Sequence, residues 1–120
     1  MIFYLMDENV NPLYKSQILK NYPNLIVWAV GDPGTPPKGT LDPEILIWCE
    51  NHSFILVTNN RASMPTHLND YLLEGCHVPG IFILNPKMSI GETIEELAIV
   101  AFVAQGDEYQ DRISYLPLLR

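Results

Sequence analysis

Residues 54–63 read Phe-Ile-Leu-Val-Thr-Asn-Asn-Arg-Ala-Ser, an unbroken apolar run that ends in a burst of polar side chains and is followed by Met64-Pro65. A strand with one face in water alternates apolar and polar residues, whereas a strand covered on both faces reads as a continuous apolar run. Proline is tolerated at the first position of a helix, because the amide it lacks would have no partner there. The stretch therefore predicts a strand buried on both faces, a polar loop at its carboxyl end, and a helix beginning near residue 65.

The same grammar recurs in both directions. Residues 2–6 (Ile-Phe-Tyr-Leu-Met), 25–30 (Leu-Ile-Val-Trp-Ala-Val) and 80–84 (Gly-Ile-Phe-Ile-Leu) are further apolar runs, with a weaker candidate at 113–116. Asn11-Pro12 and Asp42-Pro43 mark helix starts, and Ser89-Ile-Gly-Glu92 has the spacing of a capping box, opening a helix expected to stop near Gly106. Strands alternating with helices predict an α/β chain, a three-layer α/β/α sandwich on a mainly parallel sheet of four to five strands. At 120 residues, 1–120 reads as a single domain.

Composition narrows the function. With 48% apolar and 18% charged residues the chain is an ordinary globular mixture and not a disordered tail. The opening MIFYLMDENV has no basic region and is broken by Asp7, so it reads as a strand and not a signal peptide. The longest apolar run, residues 97–104, is far shorter than a membrane span. The expectation is a cytoplasmic protein with no membrane contact, whose two cysteines, Cys49 and Cys76, stay reduced. Fourteen Asp and Glu against seven Lys and Arg give a formal charge of −7, which opposes a protein that grips long nucleic acid through its phosphates; any such contact must be short and local. The run at 97–104 is apolar around the whole helix, so it is either enclosed by its own domain or meets a second subunit, and a homodimer is the reading taken.

In parallel sheets, chemistry gathers at the loops leaving the carboxyl ends of the strands. Here those loops carry Asp7-Glu8-Asn9 after the first strand, Asp32 and then Asp42 after the second, and Thr58 through Ser63 after the third. Clustered carboxylates without His or Cys beside them suit Mg²⁺ or Mn²⁺, ions that activate water and neutralise charge developing on a phosphodiester. Asp7, Glu8 and Asp42 are the candidate metal ligands, with Asp32 and Glu44 in reserve. The alternative is structural: Asp42 caps the helix at Pro43, and Asp7 and Glu8 favour the amino end of the helix near Pro12. Cys49, His52, Cys76 and His77 lack zinc-finger spacing. Trp28 and Trp48 are expected in the core.

Three blocks in order, Met-Asp-Glu-Asn at 6–9, Gly-Thr-Leu-Asp-Pro-Glu-Ile-Leu at 39–46 and Ile-Leu-Val-Thr-Asn-Asn-Arg-Ala-Ser-Met at 55–64, resemble small bacterial PIN-like proteins, relatives of the VapC ribonuclease toxins. The resemblance implies a parallel PIN sheet, one or two Mg²⁺ or Mn²⁺ ions, and cleavage of single-stranded RNA by metal-activated water, in a toxin blocked by an antitoxin protein. It matches Asp7 to the first metal ligand, with Glu8 beside it, and Asp42 to the acid opening the next helix. Asn60 stands where these families usually have aspartate, which gives Asp7, Asp42 and Asn60 as the catalytic set. Arg61, Thr58, Ser63 and Asn9 are candidate substrate contacts. An amide brings no charge and cannot serve as a base, so Asn60 opens the alternative of a weakened or inactive member kept for binding. A phosphorylation receiver also carries an acidic pair after its first strand, but the aspartate it needs after the third is replaced by Asn59 and Asn60.

Overall fold

The structure, a computed structural model, describes residues 1–118. The elements are β1 (Phe3–Met6), α1 (Pro12–Asn21), β2 (Val27–Ala29), α2 (Asp42–His52), β3 (Phe54–Thr58), α3 (Met64–Leu73), β4 (Ile81–Ile83), α4 (Ile90–Val103) and β5 (Ile113–Tyr115). They form one five-stranded sheet in the order β2-β1-β3-β4-β5, parallel throughout. Each strand falls within an expected apolar run. β2 is shorter than its run, but Tyr4 N–H donates to Ile26 O and Val30 N–H to Met6 O, so hydrogen bonding continues past both ends. Helix α4 closes at Val103, ahead of Gly106, because the chain turns extended at Ala104.

The absence of alternation in the runs has a direct cause. Tyr4, Met6, Ile55, Val57 and Phe82 pack into one apolar cluster with Ile18 of α1 and Leu97 of α4. Their neighbours Leu5, Phe54, Leu56, Ile81 and Ile83 pack into a second with Ile45 of α2 and Leu68 of α3. Helices α1 and α4 therefore share one face of the sheet and α2 and α3 the other. Both faces of each central strand are dry.

Helix α4 breaks a rule of topology. Three crossovers share one hand: α1 carries the chain toward one edge over the first face, and α2 and α3 carry it toward the other edge over the second. The α4 crossover moves in the α3 direction but over the α1 face, so its hand is opposite. Parallel crossovers keep a single hand in about 98% of cases. Specific packing compensates. Ile94, Leu97, Ala98, Val100 and Ala101 are buried, and the buried Tyr4 hydroxyl donates to Leu97 O at 2.8 Å. On the return, the Tyr109 ring meets Phe82 edge-on at 5.0 Å, and a Cβ at Gly80 would lie 3.0 Å from Tyr109.

The Ser89 capping box forms as expected. Ser89 Oγ accepts from Glu92 N–H at 3.0 Å while Glu92 Oε1 accepts from Ser89 N–H at 3.1 Å. Ser89→Ala is expected to lower stability by about 1 kcal/mol, seen as a lower urea midpoint at unchanged slope.

The tryptophans differ from expectation. Trp28 is 38% exposed because β2 is an edge strand, and Trp48 is half-buried at the margin of the α2–α3 cluster, where its indole N–H donates to Gly34 O at 3.1 Å. Both rings lean on the buried Phe54 from the core's margin and neither is itself fully buried. Cys49 is buried in the α2–α3 cluster, His52 stacks on Trp48, and His77 pairs with Asp111 at 2.7 Å. No described helix is long and apolar enough to cross a membrane.

Candidate functional site

The sheet order places the site. From β1 the chain leaves over one face toward β2, then returns over the opposite face to β3, so the connections diverge between β1 and β3 and open a crevice at their carboxyl ends. Asp7 follows β1 directly and Thr58 ends β3. The two are bonded across the crevice: Asp7 N–H donates to Val57 O at 2.9 Å, and Thr58 Oγ1 donates to Asp7 Oδ2 at 2.7 Å. Glu8 N–H donates to the other oxygen, Asp7 Oδ1, at 2.8 Å. The fully buried Thr58 hydroxyl also accepts from Asn60 N–H at 3.1 Å, so one side chain sets both the acid and the loop beyond it.

Asp42 supplies the second carboxylate. It does not cap α2, whose cap is Leu41 with no side-chain bond; Asp42 is the first helical residue, and its carboxylate faces the β3 loop. Asn60 Nδ2 donates to Asp42 Oδ2 at 2.9 Å and to Ser63 Oγ at 2.7 Å, while Asn60 Oδ1 accepts from Ser63 N–H at 3.1 Å. These three bonds fix the orientation of the carboxamide, nitrogen toward the acid. Asn60 thus braces Asp42. His67 on α3, half-buried, brings Nε2 to 3.6 Å from the same Asp42 oxygen.

Burial pushes the Asp7 carboxyl above its ordinary range; the bonds from Thr58 and Glu8 N–H pull it back, and the charges of Asp42 and Glu8 push it up again. The folded chain therefore holds the Asp7 proton more tightly than the unfolded chain does. Stability is lost as pH rises from the ordinary carboxylate range through the raised value, and at neutral pH Asp7 is a net strain. A cation bound beside it reverses the sign.

The remaining expected residues take distinct places. Glu8 is exposed and turns to Gly39, whose N–H donates to Glu8 Oε1 at 2.6 Å, so it ties the loop before α2 to the β1 loop. Asp32 is held by Lys15 at 2.6 Å and by Ala29 N–H at 2.8 Å; against the burial that would raise it, these partners keep its carboxyl below the usual range. Glu44 is exposed on the first turn of α2. Asn9 is exposed, and its carbonyl accepts from Asn59 Nδ2 at 3.2 Å. Arg61 donates to Leu84 O at 3.0 Å. Lys15 and Lys38, unremarked in the sequence, line a cleft of about 310 Å³ with Asp7, Glu8 and Asp32. Lys15 follows Pro12 by three residues, which puts it in the first turn of α1 and was its one available signal.

Among the described residues, no three His, Cys, Asp or Glu side chains are arranged as a metal-holding group. The expected trio resolves into the coupled pair Asp7 and Asp42, with Glu8 committed to Gly39. In donor chemistry two carboxylates suit Mg²⁺, which keeps several waters and is commonly held by one or two carboxylates together with substrate phosphate; here both Asp7 oxygens and Asp42 Oδ2 already accept hydrogen bonds.

Thr58 provides a test within the site. Thr58→Val removes the donor to Asp7 and the acceptor of Asn60 N–H, so it is expected to cost about 1–3 kcal/mol and to move the Asp7 carboxyl further up. The loss of stability with rising pH should then extend to higher pH than in the wild type, read from urea midpoints between the ordinary carboxylate range and neutrality. Comparison of the chain with family models, curated proteins and solved structures gave no match.

Proposed function

We propose that this protein is a Mg²⁺- or Mn²⁺-dependent ribonuclease of PIN-like type, cleaving single-stranded RNA at the β1–β3 crevice and serving in the cytoplasm as the toxin partner of an antitoxin protein. The observation that carries the proposal is Asp7, a part-buried carboxylate at the crevice whose charge is disfavoured by burial and by Asp42. Carboxylates perturbed by burial and a like charge gather at functional sites. When bound, the metal supplies activation of water and neutralisation of phosphate charge. The chain's own contribution is positioning: Thr58 aims Asp7, Asn60 aims Asp42, and α2 and α3 bring Asp42 and His67 to one edge. Cleavage of a mixed single-stranded RNA pool with Mn²⁺, and its loss in Asp42→Ala, tests the proposal.

A second reading, a binding module without turnover, is favoured by Asn60. Its amide already satisfies Asp42, and it adds no negative charge with which to hold a cation. Asn60→Asp separates the two. A carboxylate in place of an amide 2.9 Å from Asp42 is expected to lower metal-free stability, tighten Mn²⁺ binding and raise cleavage. Wild-type protein inert toward RNA in several preparations supports the binding module. A receiver role meets a chemical obstacle, since β3 ends in Thr58 and the following residues are amides.

The proposal extends to self-association through α4. Ile99, Phe102 and Val103 are exposed on that helix while its opposite side is buried, and a second copy covering them makes the homodimer. Sedimentation at rising concentration measures it.

A further inference from the structure

Beside the acidic crevice, on the same carboxyl edge, lies an open cleft of about 410 Å³ lined by Arg61, Asn85, Pro86, Lys87, Tyr115 and Leu116. Its charge is unlike that of the protein around it. The chain carries fourteen acids against seven bases, yet this cleft gathers two of those bases and no carboxylate. Among the described residues neither cation is spent in an ion pair, whereas Lys15 is taken by Asp32. An unneutralised pair of cations in a net-acidic protein is a local anion trap.

Both cations are held ready. Arg61 is fixed by its bond to Leu84 O at 3.0 Å and lies over the Tyr115 ring, 5.8 Å from its centroid, which sets the plane of the guanidinium. Lys87 is placed by the turn in which Asn85 Oδ1 accepts Lys87 N–H at 2.9 Å. Tyr115 is 49% exposed, so its ring offers surface to a planar group. The three come from the loops and ends of β3, β4 and β5 in that order, and Arg61 directly follows Asn60, the brace of Asp42.

We infer that this cleft is a nucleotide subsite for single-stranded RNA, with Arg61 and Lys87 holding one phosphate and Tyr115 stacking the base attached to it. The inference rests on the reading of this edge as RNA-facing and deepens it by giving the strand a direction: from the Asp7–Asp42 crevice across β3 toward β5. It also reconciles an acidic protein with a polyanionic ligand. One short basic and aromatic cleft grips locally, and single-strand binding draws on that pairing of cations with an aromatic platform.

The test uses a fluorescein-labelled single-stranded RNA of about ten nucleotides. Binding is read by anisotropy in EDTA, and cleavage of the same RNA is read separately with Mn²⁺. Lys87→Ala and Arg61→Ala are each expected to weaken binding and to reduce the slope of log affinity against log salt by about 0.7. Tyr115→Ala is expected to weaken binding about tenfold without changing that slope, and Tyr115→Phe to restore it. If Arg61→Ala unfolds, Lys87→Glu carries the charge test alone. RNA binding that is absent in the wild type, or unchanged in Lys87→Glu and Tyr115→Ala, overturns the subsite. Binding lost in those variants while the wild type cleaves nothing upholds the subsite and defeats the nuclease reading. Cleavage with unchanged binding does the reverse. Preference of the cleft for an acidic peptide over RNA, measured by competition, also overturns it.

Discussion

Asp42→Ala is expected to abolish Mn²⁺-dependent cleavage of single-stranded RNA while leaving the fold intact. A metal acting as Lewis acid supplies several kcal/mol of transition-state stabilisation, and each 1.36 kcal/mol is tenfold in rate, so the loss should be about a hundredfold or more. The fold survives because Asn60 keeps Ser63 Oγ as an acceptor when the carboxylate is removed. Removing Asp42 also removes one of the charges that push the Asp7 carboxyl up. The metal-free variant should therefore lose less stability with rising pH than the wild type. Loss of cleavage together with this flatter pH dependence, followed by thermal melts from the ordinary carboxylate range to neutrality, separates a ligand from a residue needed only for folding.

Leu97→Ala is expected to have the largest effect on stability. Leu97 is fully buried in α4, in the cluster that joins α4 to β1 and α1, and its carbonyl receives the Tyr4 hydroxyl. Truncating a buried leucine costs about 2–5 kcal/mol, depending on how far the neighbours collapse into the space. Total stability for a chain of this size is on the order of 6–18 kcal/mol, so the change takes a large share of it. A fall in Tm of about 10 °C or more should follow. The effect should exceed that of Ser89→Ala on the same helix, because the packing of α4 holds a crossover of the uncommon hand whereas the cap secures only its first turn.

Much of this architecture can be read from the chain because its local signals agree. The apolar runs locate all five strands, and proline at the helix starts locates α1, α2 and α3, since a buried parallel strand and a helix amino terminus each leave a short-range mark. The face chosen by α4 leaves no such mark. Its run is apolar all round, and the general preference of hand would place it on the sheet face of α2 and α3; the packing of Tyr4 and Phe82, distant in sequence, places it on the face of α1. Trp28 shows the same limit. Its run looks like a core strand, but only the sheet order reveals that β2 is an edge.

The site is legible to the same depth. The edge on which Asp7, Asp42 and Asn60 meet follows from strand ends alone. That Asp42 stands inside α2 and not at its cap follows from backbone conformation, and that Glu8 turns to Gly39 depends on a loop of irregular structure. Asn60 marks the divide most clearly. Its identity departs from the aspartate that the resemblance to PIN-like proteins leads one to expect, while its work, donating to Asp42 and Ser63 at once, is a matter of geometry between β3 and α2.

The coupled pair Asp7 and Asp42 is the centre of the account, and calorimetric titration of Mn²⁺ at neutral pH addresses it most directly. The wild type should bind Mn²⁺ saturably, and at a hundredfold excess over Kd the metal should add about 2.7 kcal/mol of stability. Asp7→Asn should lose that binding and, without metal, melt above the wild type, because the strained charge is gone. Mn²⁺ bound as tightly by Asp7→Asn as by the wild type, or by neither, would contradict the assignment of this crevice as a metal centre.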